Sequence, residues 1–187
     1  MQPQVTFLGI VLALVFTLSM SGLLWWMLHP PAQIKLAVAK ARRSFGAIKT
    51  ILVPTSGAPY SERGIELACR LGIEQKAQIV LTYVIEVPRT LPLNASMDEA
   101  EKVANEALTR GQEIVELHNL IPVLQLERAR EAGEGIIKVA QDKEADLIVL
   151  GMRSNLKGTT TIWGRTTDTL LRKSPCEVII DKLPSES

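Results

Sequence analysis

The sequence predicts an α/β protein in which one transmembrane helix precedes a single domain built on a five-stranded, doubly wound parallel sheet. Three observations support this fold class. Residues 5–28 form an uncharged apolar run. Beyond residue 46, short apolar runs of strand length alternate with longer segments of helical period. The run at residues 147–150 has no polar member, as expected of a strand covered on both faces of a parallel sheet.

The N-terminal apolar run follows a short extension, residues 1–4, and a helix over residues 5–28 extends roughly 36 Å, enough to cross a bilayer. A cleaved signal peptide is the alternative, but the start has no basic residue and the run is too long. Trp25 and Trp26 suit a headgroup layer, and a basic cluster follows them. The positive-inside rule then predicts a single-pass protein with its N-terminus outside and its C-terminal domain in the cytoplasm.

Small residues recur at every fourth position of this helix, at Gly9, Ala13, Thr17 and Ser21. They share one face, where a neighbouring helix can approach closely. We therefore predict packing against another membrane helix, from an integral membrane protein partner or a second copy of the chain. The alternative is an incidental stripe, because small residues are common in membrane helices.

Residues 29–47 are predicted to form a basic amphipathic linker. Its apolar residues share one helical stripe and are Ile34, Val38, Ala41 and Phe45. Its bases, which point elsewhere, are Lys35, Lys40, Arg42 and Arg43. Such a segment favours the surface of the lipid membrane, and a plain solvated linker is the alternative.

Charge and cysteine content exclude several classes of function. All 20 acidic residues follow Lys49, while five of the 21 basic residues lie at or before it, so the domain of residues 48–187 is net negative. Nucleic-acid binding requires the opposite charge, so no nucleic-acid partner is expected. Cys69 and Cys176 are too few for a disulfide framework or a metal site, so no metal is expected.

The first predicted strand of the domain is the apolar run at residues 50–53, which Pro54 closes. A helix is expected to open at Ser61 and to end at Gly72, because its apolar residues have helical spacing and glycine often terminates helices. Residues 78–84 are rich in β-branched side chains and form the second predicted strand.

Ser96 and Glu99 have the spacing of a capping box, which predicts the start of a long amphipathic helix. The remaining predicted elements are a strand at residues 123–126, a helix at 135–143, a strand at 147–150, a helix at 166–173 and a strand at 178–180. Ligands of doubly wound sheets bind beyond the carboxyl ends of the strands, which here points to the loops at residues 54–60 and 151–165.

Three motifs in this order resemble the universal stress protein domain. They are Ile-Leu-Val-Pro at residues 51–54 with Ser-Glu-Arg at 61–63, Asp-Leu-Ile-Val-Leu-Gly at 146–151, and Leu-Leu-Arg-Lys-Ser-Pro-Cys-Glu-Val-Ile-Ile at 170–180. The resemblance covers about residues 48–181 and implies the adenine-nucleotide alpha-hydrolase-like form of the doubly wound fold. It also implies a homodimer that pairs through the last strand, residues 177–181.

Nucleotide-binding members of that family carry a glycine pattern after the fourth strand and an acid after the first. Gly151 and Gly164 match the outer glycines, but Ser154 replaces the middle glycine and Arg165 replaces a serine or threonine. Ser56 stands at the position of the acid. ATP binding is therefore expected to be weak or absent, and no cofactor is predicted. The candidate nucleotide-binding residues are Pro54, Thr55, Ser56, Gly151, Arg153, Ser154, Gly164, Arg165 and Thr166.

Two interpretations of the loop after the fourth strand stay open. In one, glycines let backbone N–H groups approach a phosphate, the last helix adds positive potential, and Arg153, Lys157 and Arg165 supply charge. In the other, Gly151 and Gly164 serve tight turns and the bases form a solvated rim.

No catalytic residue is assigned, so an enzyme is not expected. Residues 56–61 echo a pyrophosphate-gripping loop but lack its second glycine and its acid, and Ser154 with Lys157 matches a Ser-x-x-Lys motif without the companion motifs. His29 and His118 have no nucleophile and acid nearby in sequence. The predicted function is a non-catalytic interaction or regulatory subunit of a membrane complex or transporter. The alternative is a stress-response regulator that binds ATP or another adenine nucleotide.

Overall fold

The computed structural model describes residues 7–28, 48–153 and 164–182. The chain divides into two compact units, residues 1–46 and 47–187. The predicted N-terminal extension, the predicted basic linker and Ser154 lie outside the described residues.

The described part of the first unit is one helix, α1 (Phe7–Leu28). Its 22 residues are apolar enough, with a mean hydropathy of 2.3, to make it a candidate membrane span by length and composition. The hydroxyl of Thr17 donates a hydrogen bond to the carbonyl oxygen of Ala13 at 3.0 Å, which satisfies this polar group within the helix. Gly9 and Ser21, the other members of the predicted stripe, also lie on α1.

The second unit is built on a parallel sheet. Its described strands are β1 (Thr50–Pro54), β2 (Gln78–Glu86), β3 (Val123–Ala129), β4 (Leu147–Met152) and β5 (Glu177–Lys182). Their order across the sheet is β3-β2-β1-β4-β5, so β1 is the central strand. Every pairing between these strands is parallel. The predicted α/β class and five-stranded parallel sheet are confirmed for the described part of the chain.

Helices cover both faces of the sheet. Those described in this unit are α2 (Pro59–Gln75), α3 (Asp98–Leu117), α4 (Ala132–Asp142) and α5 (Arg165–Lys173). Alternation along β1 shows how the core divides. Ile51 and Val53 belong to the apolar cluster under α2 and α3, while Leu52 belongs to the cluster under α4 and α5. The sheet is therefore doubly wound.

The carboxylate of Asp146 binds the backbone where the chain enters the sheet. The backbone N–H groups of Lys49 and Thr50 donate hydrogen bonds to Oδ2 of Asp146, at 2.8 and 3.0 Å. Asp146 directly precedes β4. Its carboxylate therefore joins the start of the central strand to the start of a neighbouring strand.

The predicted ends of α2 are wrong. The helix begins at Pro59, two residues before Ser61, because proline suits the first helical position. It continues past Gly72 until Lys76, whose left-handed backbone (φ 56°) closes it. Gly72 is instead a packing residue, since a Cβ there would lie 2.9 Å from Cδ1 of Ile79.

The predicted capping box is also wrong. Met97, and not Ser96, is the N-cap of α3, and its carbonyl oxygen accepts a hydrogen bond from Glu101 N–H at 2.9 Å. The hydroxyl of Ser96 instead donates a hydrogen bond to the carboxylate of Asp98. The Ser96 hydroxyl therefore bonds to a side chain and does not cap the helix.

The predicted start of α4 at Gly135 is three residues late. Glu86, at the end of β2, accepts a hydrogen bond from the backbone N–H of Ala132 at 2.8 Å and so satisfies a donor at the helix start. Gly135 lies inside the helix against β2, where a Cβ would be 2.5 Å from Cγ1 of Val84.

Candidate functional site

The loops predicted to form the site surround a cavity of about 570 Å³ at the carboxyl ends of β1, β2 and β4. This volume is in the usual range for small-molecule sites. The predicted residues that line it are Pro54, Thr55, Ser56, Gly151, Arg153, Gly164, Arg165 and Thr166. The ninth, Ser154, lies outside the described residues.

On the β1–α2 side of the cavity, four side chains form what we call the hydroxyl cluster: Thr55, Ser56, Tyr60 and Ser61. Ser56 Oγ donates a hydrogen bond to Tyr60 Oη at 3.2 Å. Ser61 Oγ lies 3.4 Å from Thr55 Oγ1 and donates to the carbonyl oxygen of Ala58 at 2.7 Å. Ser61 and Thr55 are buried. The polar groups of this side are therefore engaged with one another.

Backbone contact closes the same side. Gly151 in β4 lies so close to the start of α2 that a Cβ there would be 1.8 Å from the carbonyl oxygen of Tyr60. Nearby, Gly57 turns the chain between β1 and α2 with φ +70°, and its carbonyl oxygen accepts a hydrogen bond from Arg110 at 3.1 Å. Gly151 thus permits close packing of strand against helix, which is a structural role, although not that of a tight turn.

Gly164, on the α5 side, has different surroundings. It is the N-cap of α5 with φ −51° and ψ 159°, a conformation open to any residue. A Cβ at Gly164 would have no described atom within 4 Å. The N–H of Asp168 donates to the Gly164 carbonyl oxygen at 3.0 Å as the first helical hydrogen bond. The N–H groups of residues 165–167 are therefore left without a partner inside the helix.

The charged side chains that line the described part of the cavity are Glu86, Arg153 and Arg165. Glu86 accepts the hydrogen bond from Ala132 N–H at the start of α4. The guanidinium carbon of Arg153 lies 5.5 Å from the centre of the Tyr60 ring. Among the described residues, neither arginine has a carboxylate oxygen within 4.0 Å. The described lining therefore carries a net positive charge.

Apolar side chains and one threonine line the space between the two sides. Val84, Ile136 and Leu150 supply the apolar surface. Thr82 is fully buried, and its hydroxyl has no hydrogen-bond partner within the described ranges. The sequence motifs, which follow the first and fourth strands, gave no signal for Thr82 or Ile136. The rule that parallel strands end at one edge would have pointed to β2, which carries Thr82, because β2 also ends there. Ile136 lies on α4, to which that rule does not apply.

Reactive side chains elsewhere in the domain lie apart from the cavity. Nε2 of His118 lies 2.8 Å from Oε2 of Glu66, and neither residue lines the cavity. Burial raises the pKa of Cys69 to about 11, so its thiol is protonated at neutral pH. Across residues 7–28, 48–153 and 164–182, no group of three His, Cys, Asp or Glu side chains is placed to hold a metal ion.

A parallel sheet of this order with a cavity at its carboxyl edge can now be compared with known proteins. The model of the universal stress protein family matches residues 47–182. The chain belongs to the universal stress protein family. The match spans all five described strands, so the family resemblance that the sequence motifs carry is confirmed for the domain.

Individual members of the family are similar over the same region. A universal stress protein of Methanocaldococcus jannaschii is 24% identical over 144 residues, which cover 74% of this chain and 84% of that protein. The universal stress protein from Archaeoglobus fulgidus in complex with dAMP is 18% identical, with a TM-score of 0.59 over 72% of this chain and 98% of its own. A universal stress protein in complex with cAMP is 20% identical, with a TM-score of 0.56 over 73% and 98%. These solved structures share the fold of the domain.

Proposed function

We propose that this chain is a membrane-anchored, non-catalytic universal stress protein whose domain binds an adenosine monophosphate and regulates a membrane partner. The observation that carries the proposal is the open start of α5, which faces the same cavity as Arg153 and Arg165. The start of α5 offers backbone N–H groups that have no partner inside the helix, and the two arginines add positive charge to a described lining that is otherwise a mixture of apolar and hydroxyl side chains.

The start of α5 is suited to a phosphate group. The N–H groups of residues 165–167 have no partner inside the helix, and no atom of the described residues lies within 4 Å of a Cβ position at Gly164. The helix dipole adds positive potential at this end. Arg165 contributes a guanidinium, which binds two phosphate oxygens at once. A singly phosphorylated ligand would therefore find its anchor here.

The apolar lining is suited to an uncharged ring system. Val84, Ile136 and Leu150 present apolar surface between the two sides of the cavity. The hydroxyl cluster lies beside this surface and offers polar groups of the kind that meet a sugar. A ligand with a flat apolar part, a sugar and one anionic end matches this arrangement.

The relatives support a nucleoside monophosphate as the ligand class. The two solved relatives hold dAMP and cAMP, each of which has one phosphate. ATP is a poorer match to this chain. In the sequence, Ser154 stands where nucleotide-binding members have a glycine, and Ser56, a weaker sugar contact than a carboxylate, stands at the position of the acid.

Regulation fits the reactive groups better than catalysis. His118 is paired with Glu66 outside the cavity, and the raised pKa of Cys69 keeps its thiol protonated. The hydroxyl of Ser61 donates to a carbonyl oxygen rather than to a base. In the described part of the cavity, no hydroxyl has the adjacent base that activates a nucleophile.

The first unit supplies the membrane anchor in this proposal. A helix of 22 residues extends about 33 Å, enough to cross a bilayer. The bases that follow it in the sequence favour a cytoplasmic domain with the N-terminus outside. The face that carries Gly9, Ala13, Thr17 and Ser21 is the proposed contact for a partner helix or a second copy.

Titration calorimetry on the purified full-length chain in detergent tests the ligand. AMP is expected to bind, adenosine to bind more weakly because it lacks the phosphate, and ATP to bind weakly or not at all. An AMP titration without binding, or ATP binding tighter than AMP, would contradict the proposal.

Membrane fractionation tests the anchor. The chain should remain in the pellet after alkaline washing, and protease should digest the domain only from the cytoplasmic side. Replacing Gly9 and Ala13 with leucine should weaken association with the partner while the domain stays folded. Release of the chain by the wash, or digestion from the outer side alone, would contradict this part of the proposal.

A further inference from the structure

Tyr60 makes two contacts that link the two kinds of polar group in the cavity. Its ring lies beneath the guanidinium of Arg153, with 5.5 Å between the guanidinium carbon and the ring centre. Its hydroxyl accepts a hydrogen bond from Ser56 Oγ at 3.2 Å. Tyr60 thus contacts Ser56 through its hydroxyl and contacts Arg153, which follows β4, through the face of its ring.

Backbone packing fixes where the ring and the arginine meet. The carbonyl oxygen of Tyr60 occupies the space that a Cβ at Gly151 would need. Arg153 follows Gly151 by two residues. Because the two segments touch at this point, the Tyr60 ring stands beside the place where Arg153 leaves the sheet.

The ring holds the arginine without neutralising it. Attraction between a guanidinium and an aromatic face restricts the side chain but leaves its N–H donors free for a ligand. In the described part of the chain, Arg153 has no carboxylate within 4.0 Å that would compete. A side chain that is held before binding loses less conformational freedom when the ligand arrives.

We propose that Tyr60 is a positioning residue that holds Arg153 at the cavity, ready to meet the phosphate of the bound nucleotide. The inference rests on the proposed function and adds Arg153 to the start of α5 and Arg165 as a contact for the phosphate. Its consequence is selectivity, because the pair favours a phosphorylated nucleotide over the corresponding nucleoside.

Calorimetry on full-length variants with AMP and adenosine tests the inference. Tyr60→Phe keeps the ring and removes only the hydroxyl, so any loss of a sugar contact should weaken AMP and adenosine binding alike. Tyr60→Leu also removes the ring and, relative to Tyr60→Phe, should weaken AMP binding about a further two- to fivefold, the effect of an exposed cation–π contact, without a further loss of adenosine affinity. The pair of variants separates the ring's contact with Arg153 from the hydroxyl's contact with Ser56.

A double-mutant cycle with Arg153→Ala shows whether Tyr60 acts through the arginine. In that background, Tyr60→Leu should cause no greater loss of AMP affinity than Tyr60→Phe. Arg70→Ala is the matched control, because Arg70 is an exposed arginine of α2 that does not line the cavity. It should leave AMP binding unchanged.

Different results would overturn different statements. If the further loss from Tyr60→Phe to Tyr60→Leu is equal for AMP and adenosine, or is undiminished in the Arg153→Ala background, the positioning role is overturned while wild-type AMP binding stands. Failure of the wild-type chain to bind AMP would overturn the proposed function and this inference with it. Thermal unfolding of each variant identifies any loss of affinity that comes from loss of the fold.

Discussion

The two sides of the cavity carry glycines from one sequence pattern, yet these glycines have different surroundings. Gly151 is pressed against the start of α2, and the hydroxyl groups beside it bond to one another. Gly164 has open space around its Cβ position among the described residues, and the backbone donors that follow it lack partners inside their helix. One glycine maintains packing and the other leaves room, so a glycine pattern by itself does not report a phosphate site.

Gly151→Ala should produce the largest effect, because it disrupts packing on the β1–α2 side of the cavity, which we call the closed side. A methyl group 1.8 Å from the Tyr60 carbonyl oxygen forces α2 away from β4. We expect the free energy of unfolding to fall by about 3 kcal/mol. Denaturant titration followed by circular dichroism measures the change.

Gly164→Ala is the matched control on the α5 side of the cavity, which we call the open side. The same methyl group meets no described atom there, and the backbone conformation suits alanine. The free energy of unfolding should change by less than about 0.5 kcal/mol. AMP affinity should nevertheless fall, because the methyl group occupies space beside the backbone donors. Equal destabilisation by the two substitutions would remove the distinction between the sides.

Arg165→Ala should weaken AMP binding about tenfold, since it removes a charged donor beside the start of α5. Calorimetry with the full-length chain measures the affinity. Arg172→Ala removes the same charge from the far end of α5, where Arg172 pairs with Asp168 at 3.1 Å, and should leave AMP affinity nearly unchanged. Tight AMP binding that survives the loss of Arg165 would place the phosphate away from the open side.

Thr82→Val should change the free energy of unfolding in the opposite direction from Gly151→Ala, and by less. Valine keeps the shape of threonine and removes a buried hydroxyl without a described partner, so the free energy of unfolding should rise by about 1 kcal/mol. Thr55→Val is the control on the closed side. The Thr55 hydroxyl accepts a hydrogen bond from Gly57 N–H at 3.2 Å, so its loss should lower the melting temperature. If both variants have a lower melting temperature than the wild type, the Thr82 hydroxyl does have a hydrogen-bond partner.

The central part of the fold was predictable because its strands leave few alternatives. Ile51, Leu52 and Val53 are consecutive, apolar and fully buried, which only a strand covered on both faces accommodates. The all-apolar run of β4 carries the same information. Alternation of such strands with amphipathic helices then indicates a parallel, doubly wound sheet.

Helix starts were harder to predict because their caps depend on distant residues. Glu86 serves the start of α4 from a position 46 residues earlier in the chain. Ser96 has the right spacing for a cap, but its hydroxyl is taken by Asp98. The spacing of residues near each helix start predicts neither of these hydrogen bonds.

The location of the candidate site followed from topology, whereas the roles of its residues did not. Parallel strands bring the loops after β1 and β4 to one edge, and their predicted residues line one cavity. The role of Gly151 depends on where the carbonyl oxygen of Tyr60 lies, which is defined only when α2 packs on the sheet. Tyr60 lies in the predicted loop of residues 54–60, but no role was predicted for it, because its contact with Arg153 joins segments far apart in sequence.

The carboxylate of Asp146 has a mechanical consequence under the proposed membrane anchoring of the domain. Tension that arrives along the preceding chain first meets Lys49 and Thr50, whose N–H groups are bonded to Asp146. It then acts on β1, which is hydrogen-bonded to β2 on one side and β4 on the other. Pulling on the end of a central strand shears both ladders together rather than peeling one bond at a time. The two ladders therefore share a load that is applied where the chain enters the sheet, at the end of β1 opposite the cavity.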